Sequence, residues 1–111
     1  MQVTVLRTKI HGAQVTRAEL SYEGSLTLDA DLFDRAGFVP NEKVIVANIT
    51  NGERFETYVI RGPAGQREVG LNGGAARLGT VGDLLIVLAF TQMPEEAARD
   101  FSPTVIRSAD L

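Results

Sequence analysis

The dipeptide Asn51-Gly52 stands between two runs of strand-forming residues, EKVIVANI (42–49) and RFETYVI (54–60). Asn-Gly is the strongest short hairpin signal, because both residues accept the positive φ that a tight turn between twisted strands requires. An antiparallel pair is therefore predicted across this turn. The rest of the chain has to be compatible with it, and strand signals dominate elsewhere too.

QVTVLRTKI (2–10) has mixed alternation and high β-propensity. AQVTRAEL and SLTLD read as short strands around a corner at Gly24, and EVGL as another. DLLIVLAFTQM (83–93) is the most apolar strand. DADLFDRAGF switches to a helical reading, with Asp29 or Asp31 as cap, Leu32, Phe33 and Ala36 facing inward and Gly37 as the stop. GPAGQ is a loop, NGGAAR a glycine-rich turn into one helical turn, and PEEAARDF a short helix or tail with little to anchor it. The 111 residues make a single domain, 1–111, large enough to bury about two-thirds of its unfolded surface.

EKVIVANIT (42–50) also lies over DLLIVLAFT (83–91) at an offset of 41, with Ile45/Ile86, Val46/Val87 and Thr50/Thr91 identical. A genuine repeat would place two related strands at the centre of two similar halves. So many strands with so little helix point to a mainly β fold, a small closed barrel rather than an open sheet.

Composition narrows the chemistry. Zero cysteines exclude disulfides, thiolate nucleophiles and Cys-ligated metals, and the single histidine, His11, argues against an ordinary zinc site. No metal is expected. The net charge of −3 and the lack of any Lys/Arg cluster remove the electrostatic footprint of nucleic acid or anionic membrane binding. No apolar run approaches the ~20 residues that span a bilayer, and the N-terminal residues carry no apolar signal core, so a cytoplasmic location is expected.

Most candidate residues have an ordinary explanation when taken singly. GLNGGAARLG lacks the register of a phosphate loop; its backbone N–H groups suit either a carboxylate or nothing more than a tight turn. A Ser-His-Asp set drawn from Ser25, His11 and an aspartate lacks the G-x-S-x-G elbow. Lys9 and His11 share one strand face, as a solvated edge would. Arg54 and Tyr58 share strand parity, and Thr57 has the opposite one. Gly24-Ser25 can be a simple corner.

In combination these residues resemble a known family. KIHGAQVTRAELSYEGSLTLD, NITNGERFETYVI and NGGAARLGTVGDLLIVLAFTQMPEEAA are similar, in order and spacing, to the bacterial aspartate 1-decarboxylase family over residues 1 to about 103. Gly74 stands where relatives often have Ala, and nothing is read from the charged tail after Phe101. The resemblance implies a six-stranded double-psi β-barrel and a homotetramer with active sites at subunit interfaces. It also implies a proenzyme that cuts itself between Gly24 and Ser25 into chains 1–24 and 25–111. Ser25 would become a pyruvoyl group, the sole cofactor, and a maturation factor could assist. The implied reaction turns L-aspartate into β-alanine for pantothenate synthesis.

The resemblance also implies a role for each of several residues. Ser25 provides the pyruvoyl ketone that forms a Schiff base with aspartate, and Tyr58 returns a proton to the α-carbon. Gly24, Ser25 and Thr57 act in self-processing. Lys9, Arg54, Thr57, Asn72, Gly73, Gly74 and Ala75 bind substrate, with His11 and Tyr22 as further contributors. Because Thr57 and Tyr58 point to opposite faces of a regular strand, they are expected to line sites on two neighbouring protomers. The rival reading is a non-catalytic double-psi barrel that binds a partner protein.

Overall fold

In the computed structural model, which describes residues 1–107, one approximate two-fold relationship organises the strands. The eight strands are β1 (Gln2–Gln14), β2 (Arg17–Glu19), β3 (Ser25–Leu28), β4 (Lys43–Asn48), β5 (Arg54–Arg61), β6 (Val69–Asn72), β7 (Leu84–Pro94) and β8 (Thr104–Arg107). They form one sheet in the order β2-β6-β3-β5-β4-β7-β1-β8. The mainly β expectation is borne out. Residues 108–111, the end of the expected 25–111 fragment, lie outside the described residues.

At the centre β4 and β7 run antiparallel, with Val46 opposite Val87 and Ile45 opposite Leu88. Val46 therefore faces the residue that matches it in the 41-residue echo. Moving outward, β5 and β1 are each antiparallel to their central neighbour. Next, β3 runs parallel to β5 and β8 parallel to β1. Six strands thus repeat about the β4/β7 pair in order and direction, while β6 and β2 extend the β3 side alone. The ends of the sheet are also linked by the chain, since β2 begins three residues after β1 ends. Val15 N–H donates to Asp83 (2.8 Å) and Thr16 N–H to Val69 (2.9 Å), which moves the chain from the β7 side to β6.

Alternation decides what is buried. Val44, Val46, Val59, Leu85, Val87 and Ala89 point inward and join Ile10, Leu26, Leu28 and Leu71 in the core. Helix α1 (Ala30–Arg35) covers one end, with Leu32 and Phe33 buried. Asp29 is the cap, accepting from Asp31 N–H at 3.0 Å, and Gly37 leaves the helix at φ +73°.

The expected antiparallel pair forms across Asn51-Gly52: the last pair is Ala47/Arg54, and buried Asn48 organises the loop by accepting from Thr50 N–H (2.9 Å) and Asn51 N–H (3.3 Å). Two local readings differ from the structure. Ala13 and Gln14 belong to β1, which is thirteen residues long, so AQVTRAEL is not one strand. The tail is anchored: helix α2 (Glu95–Arg99) leads into β8, where Ile106 is buried opposite Ile10. A four-residue strand with one buried side chain carries too weak a period to be read from sequence.

Candidate active site

Gly24 and Ser25 mark a sharp change of environment. Ser21 to Gly24 are exposed, whereas Ser25, the first residue of β3, is 1% exposed. Ser25 pairs with Asn72 across the antiparallel β3/β6 ladder. The Asn72 side chain donates from Nδ2 to Ser25 Oγ at 2.9 Å and to Thr27 Oγ1 at 2.8 Å, which uses both of its hydrogens. Its Oδ1 is buried without a partner. A buried acceptor left unpaired is an exception that calls for an explanation, a ligand or catalytic role among them.

Asn72 is followed by a short 3-10 helix, Gly73–Arg77, where one helical turn is expected. Its side chain does not cap that turn, because it is committed to Ser25 and Thr27. Gly73 adopts φ +64°, and a Cβ there would sit 2.7 Å from Gly24 N and 2.7 Å from Tyr22 O. Only glycine lets these two backbone segments approach so closely. Gly74 has open space around its Cβ position, so an alanine would fit there.

A cleft of about 320 Å³ collects Arg17, Tyr22, Glu23, Ser25, Thr27, Tyr58, Ile60 and Asn72. Ser25, Tyr58, Asn72 and Tyr22 were singled out from sequence, and the fold brings them together. Arg17, Glu23, Thr27 and Ile60 were missed. Thr27 and Ile60 share the strand parity of Ser25 and Tyr58, a signal available in the sequence. Arg17 arrives only because β2 pairs in parallel with β6, which places it opposite Gly70. No local pattern announces that pairing.

The other candidates lie elsewhere. Thr57 shares its face with Val59 in the core and with Phe55, and it does not line the cleft. Strand β5 is regular there, with Val44/Thr57 and Lys43/Tyr58 as successive pairs, so no bulge turns both side chains the same way. Lys9, His11 and Arg54 occupy the outer face across β1, β7, β4 and β5. One row reads Arg54, Ala47, Ile86, His11, and the next Glu56, Ile45, Leu88, Lys9. His11 Nδ1 is buried without a partner. The middle of this face is apolar and its margins are charged. A larger cavity of about 640 Å³ opens beside α1 and contains none of the candidate site residues.

Among the described residues, no group of three or more His, Asp or Glu side chains could hold a metal ion. No helix among them is long and apolar enough to cross a membrane.

Together the fold and the cleft define a small β protein with one serine-centred polar site at a glycine-serine junction. The chain belongs to the aspartate decarboxylase family: the family model for aspartate decarboxylase matches residues 1–110. It is 53% identical over 106 residues to the aspartate 1-decarboxylase of Caulobacter vibrioides, covering 96% of this chain and 90% of that one. It is 52% identical over 106 residues to that of Chloroherpeton thalassium, covering 96% and 78%. With that of Coprothermobacter proteolyticus the identity is 59% over 97 residues, covering 86% and 81%.

Proposed function

We propose that this chain decarboxylates L-aspartate to β-alanine and CO₂, supplying pantothenate synthesis, after cutting itself between Gly24 and Ser25. Family membership supports the reaction, and the Asn72–Ser25 hydrogen bond is the observation that carries the site. The chain offers a hydroxyl fixed in one position at the start of a strand, next to a glycine with no Cβ to shield its carbonyl.

In self-processing, Ser25 Oγ bonds to the Gly24 carbonyl carbon while the Gly24–Ser25 C–N bond breaks, turning the amide into an ester. Loss of the Gly24 carboxylate by elimination, then water addition and release of ammonia, leaves a ketone at residue 25. The site suits the making of that group: residue 25 is buried, and Asn72 Nδ2 holds the Ser25 Oγ that would leave with the Gly24 carboxylate. A pyruvoyl ketone supplies an electron sink for the electrons left on the α-carbon, which no ordinary side chain provides. Tyr58 lines the same cleft, and its phenol would return a proton to that carbon. Gly73, Gly74 and Ala75 offer backbone N–H groups beside Asn72 for a carboxylate.

Aspartate brings two carboxylates; the cations Lys9 and Arg54 do not line this cleft, and Arg17, which does, is paired with Glu68. A second copy of the chain resolves the shortage. The outer face of Ile45, Ala47, Ile86 and Leu88 has the apolar centre and charged rim of a subunit interface. Stacked on a neighbour, it would carry Lys9, Arg54 and His11 to the partner's cleft. Homotetramer assembly with shared sites follows as the favoured arrangement, with Thr57 and Tyr58 serving two neighbouring protomers.

Mass measurement under denaturing conditions tests the reading. Fragments ending at Gly24 and beginning at residue 25 are expected, the larger one blocked to Edman degradation and gaining mass with aspartate and borohydride. Ser25→Ala is expected to stay whole and inactive. An intact, inactive wild-type chain, or normal turnover by Ser25→Ala, overturns it.

A further inference from the structure

Arg17 has no role in the chemistry described so far, yet its surroundings are specific. Its Nη2 is 2.8 Å from Glu68 Oε1, and the Glu68 side chain is only 17% exposed. The guanidinium crosses Gly70: a Cβ at that position would sit 3.0 Å from Nη2 and 3.3 Å from Nε. Glu68 and the bare backbone of Gly70 therefore fix the plane of the arginine. From there Cζ lies 5.1 Å from the centre of the Tyr22 ring, within cation–π range.

Tyr22 is otherwise loosely held, with 56% of its surface exposed. It belongs to the segment that connects β2 to Ser25 and ends at the bond to be cut. Two other anchors hold that segment. Glu19 accepts from Ser21 Oγ at 2.7 Å, and the Tyr22 carbonyl and Gly24 pack against Gly73. The arginine holds the only aromatic side chain of that segment.

We propose that Arg17 is a positioning residue for self-cleavage: oriented by Glu68, it holds the Tyr22 ring and so seats the Gly24 carbonyl beside Ser25 Oγ. The inference rests on the self-processing reading and assigns to it a residue outside the reacting atoms.

The test is the rate at which full-length precursor is converted into two fragments. Arg17→Met is expected to slow conversion about five-fold, within the range a cation–π contact supports. Arg17→Lys, which keeps the charge, is expected to recover most of that loss. Tyr22→Leu should match Arg17→Met, and Tyr22→Phe should convert several-fold faster than Tyr22→Leu, because the ring is what Arg17 holds. The double variant Arg17→Met/Tyr22→Leu should be no slower than either single one. A general loss of structure would not distinguish Phe from Leu at an exposed position. Unchanged conversion in Tyr22→Leu, or multiplying effects in the double variant, overturns the proposal while leaving self-cleavage intact. If Arg17→Met does not fold, the two Tyr22 variants decide alone. A wild-type chain that never cuts overturns both the proposal and the reading beneath it.

Discussion

Asn72 Nδ2 donates at 2.9 Å to Ser25 Oγ and at 2.8 Å to Thr27 Oγ1, so one amide fixes two hydroxyls on the same face of β3. The amide is 3% exposed, so no bulk water replaces it when it is removed. Asn72→Ala is expected to cost about 1–3 kcal/mol through the unsatisfied hydroxyls, seen as a lower Tm. It should also slow fragment formation about a hundredfold, the usual consequence of a displaced reacting atom. Wild-type conversion in a folded Asn72→Ala protein would exclude Asn72 from the chemistry.

Neighbouring glycines are expected to behave in opposite ways. Gly73→Ala puts a Cβ 2.7 Å from Gly24 N at a φ of +64°, and something must move. The left-handed conformation alone costs about 1–2 kcal/mol, and the displaced Gly24 should stop cutting. Gly74→Ala meets nothing within 4 Å and is expected to leave conversion unchanged and add about 0.4–1 kcal/mol of stability. Conversion time courses and thermal melts of the two variants decide this.

A site shared between copies makes a mixing experiment informative. Arg54→Ala and Ser25→Ala subunits should each be inactive alone. Co-expressed, they should regain turnover, because an intact Arg54 on one subunit serves an intact residue 25 on its neighbour. Ile86→Asp, on the outer face opposite His11, should shift sedimentation toward a single chain and abolish turnover. Full activity of a monomeric Ile86→Asp protein would rule out shared sites.

Cutting after Gly24 should not release the small fragment. It contains β1 and β2, and β1 pairs with β7 from Gln2/Pro94 to Gln14/Leu84 and with β8 from Thr8 to His11. Ile10 and Ala13 are fully buried within it. The fragments are expected to co-elute in native gel filtration and to separate only in denaturant.

Asp83 contributes stability with a defined pH dependence. Its carboxylate accepts from Asn48 Nδ2 at 2.9 Å and from Thr80 N–H at 3.0 Å, and these bonds hold its pKa below 3.8. Both bonds favour the charged form, so the contribution is complete above the unfolded value and fades as pH falls through the lower folded one. Asp83→Asn should therefore be less stable than wild type at neutral pH, with the gap closing below about pH 3.8. A gap that is constant with pH would assign Asp83 a packing role alone.

The parts of the site that lie along single strands were legible in the sequence. Ser25, Tyr58 and Asn72 could be proposed from three motifs, and the opposite parity of Thr57 and Tyr58 is kept on the regular strand β5, where Tyr58 lines the cleft and Thr57 does not. Arg17 could not be foreseen, since its place depends on a three-residue parallel pairing between β2 and β6. Strand β8 was equally hidden, because four residues after a short helix hold no readable period. The 41-residue echo was visible, but only the β4/β7 register shows that the matching strands lie side by side.

The six repeating strands would be indifferent to which half did the work. Symmetry ends at β3, where β6 and β2 are added on one flank and, among the described residues, nothing answers them beyond β8. Asn72 and Arg17 come from those unmatched additions. Had each half been left equivalent, neither would own an amide to grip its hydroxyl. The amide and the arginine of the cleft both belong to the flank that breaks the two-fold relationship, so the cleft can form on one half of the sheet alone.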